Sequence, residues 1–258
     1  MNIRTKRRKA ECQRKQQKAA KGDRGHSKKS ITGSVKNAMG NNLTIKKIRR
    51  NDPSLGADVD FKNKNLGADG ARLLAEALAS NHRIKRIDLR GKNIGDEGTK
   101  ALSAALMENC TLQVITLWNN KIGDESVKAL SETLARNNNT LQRIDLFENN
   151  IGDEGAIALG DALRNNNSLQ SVCLGRNRIG DAGANALSEG LKQNNSLQEL
   201  DLKANNIANE RVRALMEILL TDWNGTLTKL KLMHNNGYSA VVGKRIQEYL
   251  ASRPLSVR

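Results

Sequence analysis

Two rhythms of apolar residues alternate along the chain. In stretches such as LQRIDLFEN, from Leu141, apolar residues recur at every second position, which predicts a short strand with one buried face. Further on, the spacing changes to three and four. Ala156, Leu159 and Leu163 share one predicted helix face, as do Val127, Leu130 and Leu134, and Val212, Leu215 and Leu219. Between the rhythms stand Gly95, Gly123, Gly152 and Gly180, where the chain must turn tightly. Asp96, Asp124, Asp153 and Asp181 follow them. There a carboxylate is expected to cap its own helix by accepting an orphan backbone N–H.

The strand-plus-helix phrase repeats. Its copies start at Ile84, Leu112, Leu141, Leu169, Leu197 and Leu227, at spacings of 28, 29, 28, 28 and 30, and an earlier copy begins near Leu55. A fixed period in this range signals a solenoid. One unit cannot bury its own apolar face, whereas stacked units can. The expected fold is therefore an α/β right-handed solenoid, a horseshoe of about seven 28-residue repeats with an inner parallel sheet and outer helices. Four divisions are expected: a basic disordered tail over 1–40, an N-terminal cap over 41–56, repeats over 57–226, and the last repeat with a C-terminal cap over 227–258.

The phrase LxxIDLxxNxIGDEGAxALxxALxxNxxLQ resembles leucine-rich repeats of the ribonuclease-inhibitor-like class, including those of NOD-like receptors. The resemblance covers roughly residues 55–254. LTIKKIRRNDPSL, from Leu43 to Leu55, is similar to the N-terminal cap of tropomodulin-like leucine-rich repeat domains. The resemblance implies a structural asparagine ladder at Asn120, Asn149, Asn177, Asn205 and Asn235, with Lys64 and Lys92 at the corresponding places of the first two repeats. It also implies a non-enzymatic module that binds another protein on its concave face. Ran GTPase-activating proteins share this repeat class, so a GTPase-activating role is the alternative the resemblance leaves open.

In a strand the residues flanking a core position point to the opposite face. That rule gives three columns on the inner face. Arg86, Val114 and Arg143 fall in the first, Asp88, Thr116 and Asp145 in the second, and Arg90, Trp118 and Phe147 in the third. Trp118 and Phe147 stand on successive strands, and adjacent exposed rings mark a binding hot spot. The competing reading is that the rings only stabilise the sheet. The expected partner-binding residues are Trp118, Phe147, Arg86, Arg90, Arg143, Asp145 and Thr116.

Composition narrows the function. Aromatic residues make up 2%, which suits a core tiled from Leu, Ile and Ala. His26, His82 and His234 do not cluster, and Cys12, Cys110 and Cys173 have no metal-like spacing or disulfide framework. Cys173 has no histidine in register to activate it. No enzyme activity, cofactor or metal is expected. No run of apolar residues is long enough for a membrane span. The formal net charge is +16, yet residues 1–40 alone hold thirteen Lys/Arg against two acids. KRRK at Lys6, Arg7, Arg8 and Lys9, with Arg14 and Lys15 beyond, resembles a basic nuclear-import signal. The same charges would hold nucleic acid without sequence selectivity. A monomer in the cytoplasm, the nucleus or both is the expectation.

Overall fold

The computed structural model describes residues 39–61, 65–136, 140–208 and 226–236, with the single positions Val212, Lys244 and Glu248. Helix α1 (Met39–Arg49) leads into β1 (Asp58–Asp60) and α2 (Gly67–Ala79). Then follow β2 (Arg86–Asp88), α3 (Gly95–Glu108), β3 (Val114–Thr116), α4 (Asp124–Arg136), β4 (Arg143–Asp145) and α5 (Asp153–Asn165). The described part closes with β5 (Ser171–Cys173), α6 (Asp181–Gln193), β6 (Glu199–Asp201) and β7 (Lys229–Lys231). The seven strands form one sheet in sequence order, and each neighbouring pair is parallel. Parallel neighbours need a crossover, and helices α2 to α6 supply it from β1 through β6. The result is an α/β solenoid of horseshoe form.

Register is kept by burial. The central strand residues Val59, Ile87, Ile115, Ile144, Val172, Leu200 and Leu230 are all buried, as are Phe61, Leu89, Leu117, Leu146, Leu174, Leu202 and Leu232 two positions on. The helices add Leu130 and Leu134, Leu159 and Leu163, and Leu187 and Leu191. Each large aliphatic side chain so placed contributes about 1.5–3 kcal/mol. A one-residue slip would turn the strand's apolar set outward, so it is opposed in every repeat. Leu215 and Leu219 of the expected helix face lie outside the described residues.

Asparagines finish the turn after each strand. Asn149 Oδ1 accepts from the backbone N of Asn120 (2.9 Å) and Ile122 (3.0 Å) one repeat earlier, while Nδ2 donates to the carbonyls of Leu117 and Leu146. Asn120, Asn177, Asn205 and Asn235 make the same kind of bonds, all from buried positions. The turn at Lys92 is served by Asn120, whose Oδ1 accepts from Lys92 N at 2.8 Å. Lys64 lies outside the described residues.

A second asparagine row, with no counterpart in the expected ladder, runs along the opposite edge, where each helix leads into a strand. Asn81, Asn109, Asn166 and Asn194 are buried there. Asn194 Oδ1 accepts from Ser196 N (3.0 Å) and Leu197 N (2.8 Å), and Nδ2 donates to Leu163 O (2.7 Å) and Asn166 O (2.8 Å). Buried backbone groups must find partners, and these side chains provide them between repeats.

The aspartates work differently from the expectation. The residues in the N-cap position before α5 and α6 are Gly152 and Gly180, with no side-chain cap. Asp153 instead accepts from Gly180 N (2.7 Å) and Gly183 N (2.8 Å) of the following repeat, and Asp124 accepts from Gly152 N and Gly155 N. Asp96 reaches Gly123 N, and Asp181 reaches Ala208 N. The stacked geometry brings orphan N–H groups at the start of the next repeat's helix within hydrogen-bond reach of the aspartate. On the outer side α5 and α6 approach at Gly160 and Gly190, where a Cβ on Gly190 would collide with the carbonyl oxygen of Gly160.

Candidate protein-binding face

The strand pairing sets the inner columns. Arg86, Val114, Arg143 and Ser171 are successive Cα partners, as are Asp88, Thr116, Asp145 and Cys173. Parallel pairing at the same repeat position makes each column a physical row.

The third column is a continuous stack. Trp118 and Phe147 meet edge to face, with ring centroids 5.3 Å apart at 87°. The Arg90 guanidinium lies 5.9 Å from the Trp118 ring centre, and Lys203 Nζ lies 4.8 Å from that of Phe147. Phe147 leans over the next strand, for a Cβ added at Gly175 would stand 2.8 Å from its ring. Trp118 is 36% exposed. The rings therefore do not lie flat on the sheet. They stand as a ridge with a cation at each end, an arrangement favoured by the ring quadrupole.

Two residues that the strand alternation could not reveal complete the ridge. Glu148 accepts a hydrogen bond from Trp118 Nε1 (3.2 Å) and pairs with Arg176 (3.5 Å), whose guanidinium lies 5.9 Å from the Phe147 ring centre. Glu148 and Arg176 occupy the turn position just before the ladder asparagine, with φ of 57° and 52°. Left-handed backbone there turns their side chains back toward the rings. Non-glycine residues with positive φ are uncommon, which is the signal a sequence pattern does not carry.

The charged positions fall into two groups. On one flank Arg86 pairs with Asp58 (3.2 Å) and Arg90 with Asp88 (2.7 Å). The hydrogen bond to Asp88 is the chief reason the Arg90 pKa is raised further. On the other flank Lys231 bridges Glu199 (3.0 Å) and Asp201 (3.2 Å), and Lys229 also reaches Glu199 (3.0 Å). Burial works against ionisation of Glu199, but Lys229 and Lys231 outweigh it and hold its carboxyl down to about 2. In the centre, on β4, Arg143 has neutral neighbours in both adjacent strands, Val114 and Ser171. Asp145 has Thr116 and Cys173. Neither charge forms an ion pair among the described residues; Asp145 accepts from Phe147 N at 3.1 Å. Of the expected binding residues, Trp118, Phe147, Thr116, Arg143 and Asp145 thus share one patch, while Arg86 and Arg90 are engaged by carboxylates of their own chain.

Cys173 lies in this patch as a free thiol. Burial, then the negative charge of Asp145, push its pKa up to about 12, so it is not a ready nucleophile. Cys110 is disulfide-bonded, which differs from the expectation of no disulfide. His82 is half-buried rather than a freely solvated histidine. Among the described residues no three His, Cys, Asp or Glu side chains come together as a metal site, and no helix is long and apolar enough to cross a membrane. The residues of the basic motif, Lys6 to Lys9 with Arg14 and Lys15, lie outside the described residues.

A family model described as Leucine Rich repeat matches residues 108–131, 137–160, 165–188 and 193–216. The chain is a leucine-rich repeat protein. Arrays of this kind present an extended inner surface to other proteins, so the chain belongs with protein-interaction modules. Among solved structures it is similar to the actin-binding site 2 of leiomodin-1, at 15% identity and a TM-score of 0.43, covering 86% of this chain and 90% of that one. It is also similar to the C-terminal domain of Caenorhabditis elegans tropomodulin, at 14% identity and a TM-score of 0.47, covering 70% of this chain and 92% of that one. A third similarity is to the mouse RP105/MD-1 complex, at 15% identity and a TM-score of 0.43, covering 70% of this chain and 27% of that one. A comparison with curated protein sequences gives no match.

Proposed function

We propose that the protein binds a protein partner at the centre of its inner face, over β3, β4 and β5. The observation that carries this reading is the contrast between centre and flanks. On both flanks the inner-face charges are neutralised within the chain, whereas Arg143 and Asp145 lack ion-pair partners among the described residues, beside the exposed Trp118–Phe147 ridge. A partner supplying an acidic group to Arg143, a basic group to Asp145 and an apolar side chain to the ridge completes all three. The ridge is held in place by Arg90, Glu148, Arg176 and Lys203, so little side-chain entropy is lost when it is covered.

The test is capture of partners from native lysate, followed by affinity measurement for any partner found. Each ring is expected to contribute at least about 2 kcal/mol, so Trp118→Ala with Phe147→Ala weakens binding roughly a thousandfold. Arg143→Ala lowers affinity, while Arg86→Ala changes it by less than about 1 kcal/mol, because an exposed, internally paired charge contributes little. Unchanged affinity in the ring double variant, with the fold intact by circular dichroism, overturns the assignment.

A further inference from the structure

The two edges of the solenoid differ in their carboxylates. Where each strand leads into its helix, Glu97, Glu125 and Glu154 stand in successive repeats. Where each helix leads into the next strand, residues 80–85, 109–113, 140–142, 166–170 and 194–198 contain no carboxylate at all. The residue entering each strand is Lys85, then Gln113, Gln142, Gln170 and Gln198. Their backbones run in register: Gln113 N donates to Lys85 O (2.7 Å), Gln142 N to Gln113 O (2.8 Å), Gln170 N to Gln142 O (2.7 Å), and Gln198 N to Gln170 O (2.8 Å). Four carboxamide side chains therefore start from backbone positions about 4.8 Å apart along one edge.

A groove of about 290 Å³ opens at the start of this row, lined by His82, Arg83, Lys85, Gln113 and Gln142 among others. Arg83 and Lys85 are exposed and form no ion pair among the described residues. His82 is anchored through its backbone N to Asn51 Oδ1 (2.9 Å), and its Nδ1 is buried without a partner. The helix C-termini also point toward this edge, and their partial negative charge opposes an anion. That charge is confined to the last turn. There the side-chain amides of Asn81, Asn109, Asn166 and Asn194 already occupy carbonyls of Ile48, Leu78, Leu134 and Leu163. Two full positive charges beyond it set the sign of the groove.

We propose that this edge binds single-stranded nucleic acid, with backbone phosphates in the groove at Arg83 and Lys85 and base edges along the glutamine row. The cations supply the attraction to phosphate. Each carboxamide can both donate and accept, as the exposed edge of an unpaired base requires. An acidic peptide would use the cations but leave the row without a role, and a duplex keeps its base edges within grooves. The proposal is independent of the inner-face reading.

The experiment measures binding of a short labelled oligouridylate to the full chain by fluorescence anisotropy across a salt series. Arg83→Ala with Lys85→Ala is expected to reduce the slope of log affinity against log salt by about 1.4, at roughly 0.7 for each phosphate no longer neutralised. Gln142→Ala with Gln170→Ala, both exposed and both keeping the backbone ladder, is expected to weaken binding roughly fivefold with the slope unchanged. No saturable binding by the parent chain, or parent-like affinity and slope in both variants, overturns the proposal. So does equal affinity for a duplex, or equal competition by polyglutamate at matched charge, which would point to a generic acidic partner instead.

Discussion

At the residue scale, side chains that fasten one repeat to the next carry more weight than their small size suggests. Asn194 makes four hydrogen bonds to backbone from a buried position. Asn194→Ala strands the N–H donors of Ser196 and Leu197 and takes its donor from the Leu163 carbonyl, while Asn166 O keeps Ser196 Oγ; each buried unsatisfied group costs about 1–3 kcal/mol. The expected loss is several kcal/mol, read as a large drop in the denaturation midpoint. Asp153→Ala removes only the acceptor for Gly180 N and Gly183 N at a partly buried site. A loss of about 0.5–2 kcal/mol is expected by the same measurement. Glu199 gives a pH signature. Its carboxyl titrates near 2 in the folded chain against an ordinary 4.5. Its contribution to stability is therefore fully present above pH 4.5 and is lost as pH falls toward 2. In Glu199→Gln the fall in stability across that interval is expected to be shallower, measured by denaturant unfolding at a series of pH values.

At the element scale, strands and helices were legible from the sequence because both faces of the repeat obey simple periods. Ile144 and Leu146 alternate with Arg143, Asp145 and Phe147, and Ala156, Leu159 and Leu163 follow helical spacing. The inner columns follow from the same alternation, so the Trp118–Phe147 neighbourhood could be read directly. The turns were not legible in that way. The aspartate after each glycine looks like a local cap, and only stacking shows that it serves the next helix. Asn81, Asn109, Asn166 and Asn194 lie in polar stretches that read as loop, since hydrogen bonds between repeats leave no period of their own. Glu148 and Arg176 come to the rings through left-handed backbone, a conformation neither residue type announces. The close approach of α5 and α6 is also an element-scale feature. Gly190→Ala puts a methyl group against backbone that cannot rotate away, and a loss of about 1–3 kcal/mol is expected in thermal unfolding.

For the whole molecule, the repeat is a structural rule and the surface is free text. The buried aliphatic positions are nearly the same from one repeat to the next. The inner face varies, with neutralised flanks around a central ridge, and the edges differ, with carboxylates on one side and amides and cations on the other. Gly160 and Gly190 add one more distinction. An arc of this kind bends because its outer helices are spaced more widely than its inner strands. Where two glycines let the helices draw together, that difference shrinks and the arc straightens locally. The stretch spanning β4 and β5 is thus expected to be flatter than its neighbours, with the radius offered to a ligand set from behind, by two missing methyl groups on the far side of the sheet.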